Sequence, residues 1–180
     1  MKILAVVGSL RRGSYNRQLA DKAKEIIGDR AELEILDYGD VPFMNQDIEY
    51  PAPEAVRRVR EAVKTADGIW FFTPEYNHNI SGALKNLIDW LSRPVSESDG
   101  QVLGGKPAAV SGIALGMSGT ATAQDHLVSL ISLLDMKVMN KPRLAIGRAA
   151  EQTDGEGRLV LAESVSYLEK QAAAFIKFIG

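Results

Sequence analysis

The run Ile3-Leu4-Ala5-Val6-Val7 is apolar without alternation, the pattern of a strand buried on both faces, as in a parallel sheet covered by helices. The loop that follows, Gly8-Ser9-Leu10-Arg11-Arg12-Gly13-Ser14, is small, hydroxylated and basic. Tyr15, Leu19, Ala23, Ile26 and Ile27 then recur at helical spacing, with Ser14 as the cap and Gly28 as the stop. Strand, loop and helix in that order aim backbone N–H groups and the positive end of the helix dipole at one point beyond the strand, where an anion fits. Ser9, Ser14 and the Asn16 amide can donate hydrogen bonds there, and Arg11 or Arg12 can supply full charge, which matches the terminal phosphate of a small ligand. The competing reading is a capped helix with solvated arginines, and this loop alone weighs the two about evenly. There is no G-x-x-x-x-G-K-[ST], which disfavours a P-loop NTPase, and no G-x-G-x-x-G for a pyrophosphate.

A chain of 180 residues is expected to form one domain over 1–180. A net charge of -2 gives no case for nucleic acid or an anionic membrane surface as partner. The absence of cysteine excludes disulfides, thiolate metal sites and cysteine nucleophiles. His78 and His126 are the only histidines and lack metal-ligand spacing, so no metal is expected. The apolar start is too short for a secretory signal, and no run approaches the ~20 apolar residues of a membrane helix. The expectation is a cytoplasmic protein.

Further along, Ala31 to Asp37 alternates as a strand nearer an edge, and residues 38–53 are loop. A helix from Pro53 carries Val56, Val59 and Val63 on one face and Arg57, Arg58, Arg60 and Lys64 on a face read as solvated. Gly68 to Thr73 is a central strand with Trp70, Phe71 and Phe72 as core, and the loop 74–79 follows. A helix with Ile80, Leu84, Leu87, Ile88 and Leu91 comes next, then a polar linker over 92–105. Ala108 to Ile113 marks a fourth strand and Ser111 to Gly119 a small-residue loop; a helix starts near Thr120. Lys137 to Ile146 is a last strand interrupted by Pro142, and Val165 to Ile179 a final helix. Five strands alternating with five helices predict a doubly wound α/β fold with a five-stranded parallel sheet and helices on both faces. Ligands of such sheets bind beyond the carboxyl ends of the strands, so the loops after strands one, three and four should converge.

Tyr76 offers a flat face to a ring system, and Asn77 a paired donor and acceptor for a heterocycle edge. Ser111, Gly112 and Gly116 let backbone approach a planar ligand. A phosphate at one end and a planar ring at the other describe flavin mononucleotide.

These residues also carry a resemblance. Gly8-Ser9-Leu10-Arg11-x-x-Ser14-x-Asn16 and Pro74-Glu75-Tyr76-Asn77, continued by Gly82-Ala83-Leu84-Lys85-Asn86-x-Ile88-Asp89-Trp90, resemble the paired signatures of the NADPH-dependent FMN reductase family, which includes quinone-, chromate- and azo-dye-reducing members. Gly147-Arg148-Ala149 and residues 154–159 resemble its C-terminal pattern. The resemblance implies a flavodoxin-like fold holding FMN, with NADPH or NADH as co-substrate. In it Ser9, Arg11, Ser14 and Asn16 take the phosphate and Glu75, Tyr76 and Asn77 border the isoalloxazine; Leu10, Tyr15, Pro74, Ser111, Gly112 and Gly116 complete the expected cofactor-binding set. It implies hydride passing from a nicotinamide to the flavin and on to a small-molecule electron acceptor, with no catalytic side chain required. It also implies a homodimer or homotetramer with flavin sites near the interface. The family's Gly-Gly-x-Arg-Ala-Gln run here reads Gly119-Thr120-Ala121-Thr122-Ala123-Gln124, without the arginine of an inter-subunit salt bridge. Trp90 is read as either core or dimer interface, with a lean to the interface, Lys85 and Asp89 as a one-turn pair, and Glu75 as an orienting carboxylate. The rival from another class is a flavodoxin-type electron carrier, disfavoured by near-neutral charge and the arginine-bearing loop.

Overall fold

The structure is a computed structural model that describes residues 1–96 and 98–180. Position 97, within the expected 92–105 linker, lies outside the described residues. Among the described residues, six strands form one sheet: β1 (Lys2–Val7), β2 (Glu32–Ile35), β3 (Gly68–Phe72), β4 (Pro107–Ile113), β5 (Lys137–Val138) and β6 (Leu144–Ile146). Its order is β2-β1-β3-β4-β5, every pairing is parallel, and β6 also pairs with β4. The expected fifth strand is thus two short pieces against successive halves of β4, separated by the segment that holds Pro142, a residue with no N–H for a ladder. Five helices alternate with the strands: α1 (Tyr15–Ile27), α2 (Glu54–Thr65), α3 (Gly82–Leu91), α4 (Ala121–Leu133) and α5 (Val165–Ile179). This order is the flavodoxin-like one, whose topological switch falls between β1 and β3.

Burial explains why β1, β3 and β4 read as continuous apolar runs. Ile3, Ala5 and Val7 join Trp70, Phe72 and Ala109 in a core with α1 and α5. Leu4 and Val6 join Ile69, Phe71, Ala108 and Val110 in a second core with α2, α3 and α4. Trp70 stacks on Phe72, with ring centroids 5.1 Å apart, and meets the edge of Phe175 at 5.7 Å.

A buried polar chain crosses the first core. Trp70 Nε1 donates to Ser111 Oγ (2.8 Å), and Ser111 donates to Gln171 Oε1 (2.6 Å). Gln171 Nε2 then donates to the carbonyls of Val110 and Pro142 (2.9 and 3.0 Å). Gln171→Leu would leave those carbonyls and the Ser111 hydroxyl short of partners, and we expect a loss of about 2 kcal/mol, read by urea denaturation.

Several side chains depart from the expected placement. Trp90 is not at a surface but fully buried, its Nε1 donating to the Pro42 carbonyl (2.8 Å). Arg60 is 3% exposed, not solvated, and donates to the Trp90 carbonyl. Val102 and Leu103, in the stretch read as polar linker, are buried in the second core. Ser111 and Gly112 belong to β4, not to a loop.

The 38–53 segment is fastened to α3. Asn86 accepts from Met44 N and donates to the Pro42 carbonyl (2.8 and 2.9 Å). The Arg93 guanidinium grips the buried Glu49 with two bonds, of 2.8 and 3.1 Å. Hydrogen bonding to Arg93 holds the Glu49 carboxyl below its usual range. A carboxyl depressed in the folded state stabilises fully above its unfolded pKa, about 4.3, and loses that contribution as pH falls through the folded value. Stability should therefore decline as pH drops below about 4, and Glu49→Gln should flatten that acid limb in urea titrations across pH.

Candidate functional site

Three loops leave the carboxyl ends of β1, β3 and β4. The first is tied to β3 through Gly8 N, which donates to the Phe72 carbonyl (2.8 Å). It turns back at Ser14, whose N–H donates to the Arg11 carbonyl (3.1 Å). Ser14 Oγ accepts from Arg17 N at 3.2 Å, so the residue is a helix cap; its own hydroxyl proton remains for a ligand. Tyr15 and Asn16 open α1, and their N–H groups have no partner within the helix. The Arg11 guanidinium lies 5.5 Å from the centroid of the Tyr15 ring.

In the second loop, Tyr76 and Asn79 exchange backbone hydrogen bonds of 2.9 and 3.0 Å around a two-residue turn. The central residues Asn77 (φ 52) and His78 (φ 60) both lie in the left-handed region, a strained conformation that Asn and His tolerate better than most. Glu75 does orient the loop: its Oε2 accepts from Ala123 N at 2.9 Å, fixing the start of α4, while Oε1 is 3.4 Å from His78 Nδ1. The Tyr76 hydroxyl reaches across to Ser9 Oγ at 3.4 Å. Ser81, which sequence reasoning passed over, caps α3 and donates to the Gly8 carbonyl, joining the two loops.

The third loop is set by Asn16. Its Nδ2 donates to the Ile113 carbonyl (2.9 Å), and its Oδ1 accepts from Ile113 N (3.0 Å). The far side is pinned by Ala114 N to the Ile146 carbonyl, Ala149 N to the Ala114 carbonyl and Arg148 N to the Gly116 carbonyl. Gly147 makes this pinning sterically possible, since a Cβ there would overlap the Met117 carbonyl.

The loops enclose a cavity of about 440 Å³ lined by Ser9, Arg11, Ser14, Tyr15, Asn16, Pro74, Glu75, Tyr76 and residues 113–116. Of the expected set, Leu10, Asn77, Ser111 and Gly112 do not line it. Leu10 borders two neighbouring cavities, and Asn77 turns toward the groove between α3 and α4. Ser111 is fully buried and bonded to Trp70 and Gln171. Gly112 serves close packing, because a Cβ there would overlap the Thr73 carbonyl and Thr120 Oγ1. Ile113, Ala114 and Leu115 are lining residues that the sequence reading missed. Among the described residues no cluster of three or more acidic, histidine or cysteine side chains is placed to hold a metal. Nor is any helix among them long and apolar enough to cross a membrane.

The volume lies within the range of small-molecule sites. Hydroxyl and guanidinium donors of the first loop share the lining with the half-exposed Tyr76 and residues 113–116. That donor set suits FMN at the β1/β3 switch point. Fold and cavity together are those of a flavodoxin-like protein suited to bind FMN.

The comparisons make the assignment specific. Residues 1–151 match the family described as NADPH-dependent FMN reductase. A 2-hydroxy-1,4-benzoquinone reductase of Burkholderia sp. is 39% identical over 169 residues, covering 94% of this chain and 91% of the relative. An NAD(P)H-dependent FMN reductase of Pseudomonas aeruginosa is 39% identical over 175 residues, covering 97% and 92%. A solved NAD(P)H:(acceptor) oxidoreductase flavoenzyme of Paracoccus denitrificans superposes with a TM-score of 0.89 at 32% identity, covering 99% and 96%. The chain belongs to the NADPH-dependent FMN reductase family and is an NAD(P)H-dependent flavin oxidoreductase.

Proposed function

We propose that residues 1–180 form one FMN-binding domain that reduces small quinones at the expense of NAD(P)H. The observation that carries this reading is the cavity itself, with phosphate donors at the mouth of α1 and the Tyr76 loop across from residues 113–116. Bound FMN would supply the hydride acceptor and donor chemistry. The protein's part is to hold and orient: Ser9, Arg11, Ser14 and the first N–H groups of α1 take the phosphate, and Glu75 and Tyr76 fix the ring against backbone at 113–116. The curated relatives named as quinone reductases support the acceptor class.

A homodimer fits the same surface. Leu115 is exposed on the cavity lining, and Phe43 (86% exposed) and Leu10 are exposed on a neighbouring cavity. A second copy laid there would cover them and narrow access to the flavin. A cytoplasmic location, where reduced nicotinamide is available, accords with this role.

Initial rates measured while NADPH and 1,4-benzoquinone are varied together test the reading. A site that one molecule must vacate before the next reacts gives parallel double-reciprocal lines. Absence of quinone-dependent NADPH or NADH oxidation by the FMN-loaded protein would contradict it.

A further inference from the structure

Charge alone makes every arginine near the site a candidate for the extra phosphate of NADPH, but the fold separates them. Arg93 is neutralised by its paired bonds to Glu49. Arg143 pairs with Asp125 at 2.9 Å, and Arg148 lies 3.7 Å from Glu151. Arg11 and Arg12 make no ion pair among the described residues.

Arg11 and Arg12 line a second cavity, of about 480 Å³, and Arg17 reaches it from α1. Arg17 pairs with Asp21 one turn along α1, at 3.4 Å between half-exposed side chains. One carboxylate borders this cavity, Asp37 beyond the end of β2. With Arg11 serving the flavin phosphate and Arg17 facing Asp21, Arg12 is the lining guanidinium that makes no ion pair among the described residues. The wall is rigid: the buried Tyr38 donates its hydroxyl to the Val7 carbonyl at 2.7 Å and locks the segment after β2 onto the end of β1. Ser9 and Arg11 line both this cavity and the flavin cavity. The two cavities are therefore neighbours across residues 9–12.

Building on the NAD(P)H-driven reading above, we propose that this second cavity binds the adenosine 2′-phosphate of NADPH. Arg12 and Arg17 grip the phosphate, and Asp37 accepts a hydrogen bond from the adjacent ribose hydroxyl. Arginine suits a phosphate dianion because its planar fork donates two parallel bonds to paired oxygens. NADH lacks the phosphate that these guanidinium groups would bind, so the cavity discriminates between the two nucleotides.

Calorimetric titration of the FMN-loaded protein with adenosine 2′,5′-bisphosphate and with 5′-AMP tests this without turnover. The wild type should bind the bisphosphate at least about tenfold tighter, equivalent to about 1.4 kcal/mol. Arg12→Gln should cut that preference severalfold, and Arg12→Gln with Arg17→Gln should abolish it. The NADPH-to-NADH ratio of kcat/KM should fall in parallel, while Arg148→Gln keeps the preference. Equal binding of the two probes by wild type, or a preference lost in Arg148→Gln and kept in the double variant, would overturn the proposal. If neither nucleotide reduces the FMN-loaded protein, the functional reading fails instead. If both reduce it and the probes bind equally, only this inference fails.

Discussion

Asn16→Leu should both destabilise the fold and empty the site of FMN. The side chain is 3% exposed, and its two ends are committed to the N–H and C=O of Ile113. Leucine has nearly the same size but no polar atoms, so two buried backbone groups at the end of β4 lose their partners. Each unmet group costs about 1 to 3 kcal/mol, which puts the total at about 2 to 6 kcal/mol. The midpoint of urea unfolding should fall with little change in slope. The functional loss should be larger than the stability loss suggests, because Ile113 leads directly into residues 114–116, one wall of the cavity. Equilibrium dialysis should show FMN affinity down by at least about a hundredfold, a change of about 2.7 kcal/mol. A variant that unfolds as wild type does, or binds FMN as tightly, would show that the clamp does not set the wall.

Gly112→Val should have a comparable effect from the opposite side. The position lies inside β4, where even a methyl group meets the Thr73 carbonyl and Thr120 Oγ1. Neither is the free end of a flexible chain: Thr73 is tied to Ser111 by a 2.9 Å backbone bond, and Thr120 is buried and accepts from Gln124 Nε2 at 3.0 Å. Overpacking of this kind costs about 3 kcal/mol or more. The displaced element would be Thr73 and Pro74, so the loop carrying Glu75 and Tyr76 should move with it. Thermal unfolding and FMN retention on gel filtration should both drop; Gly112→Ala should fall between the variant and wild type.

What the sequence made legible was local. The strand, loop and helix over residues 2–27 follow from a continuous apolar run, a hydroxyl cap and helical spacing within one short segment, and they stand where expected. The phosphate and cap readings of Ser14 proved compatible, since one oxygen accepts from the helix while its proton stays free. The edge position of β2 was visible in its alternation. The Lys85 and Asp89 pair also forms, at 2.7 and 2.9 Å.

Illegible features depend on partners distant in sequence. Ser111 and Gly112 look like loop residues because they are small and polar. They are small because Thr73 and Thr120 press on one, while the other completes a chain to Gln171, sixty residues away. The misplaced loop start hid Ile113, Ala114 and Leu115 from the expected lining. Asn77 reads as a ligand contact from its amide, but a left-handed two-residue turn carries it to another face. Arg60 looked like a surface residue and Trp90 stood open between core and interface, because nothing in the local pattern shows the 38–53 segment folding over α3.

The central claim is that this cavity holds FMN and delivers it to a reduced nicotinamide. Its most direct test is the visible absorption spectrum of the protein after loading with FMN and removal of excess, recorded anaerobically before and after addition of NADPH. Flavin bands should stay with the protein and bleach promptly on reduction. A protein that retains no FMN, or whose flavin bands persist under both NADPH and NADH, would contradict it.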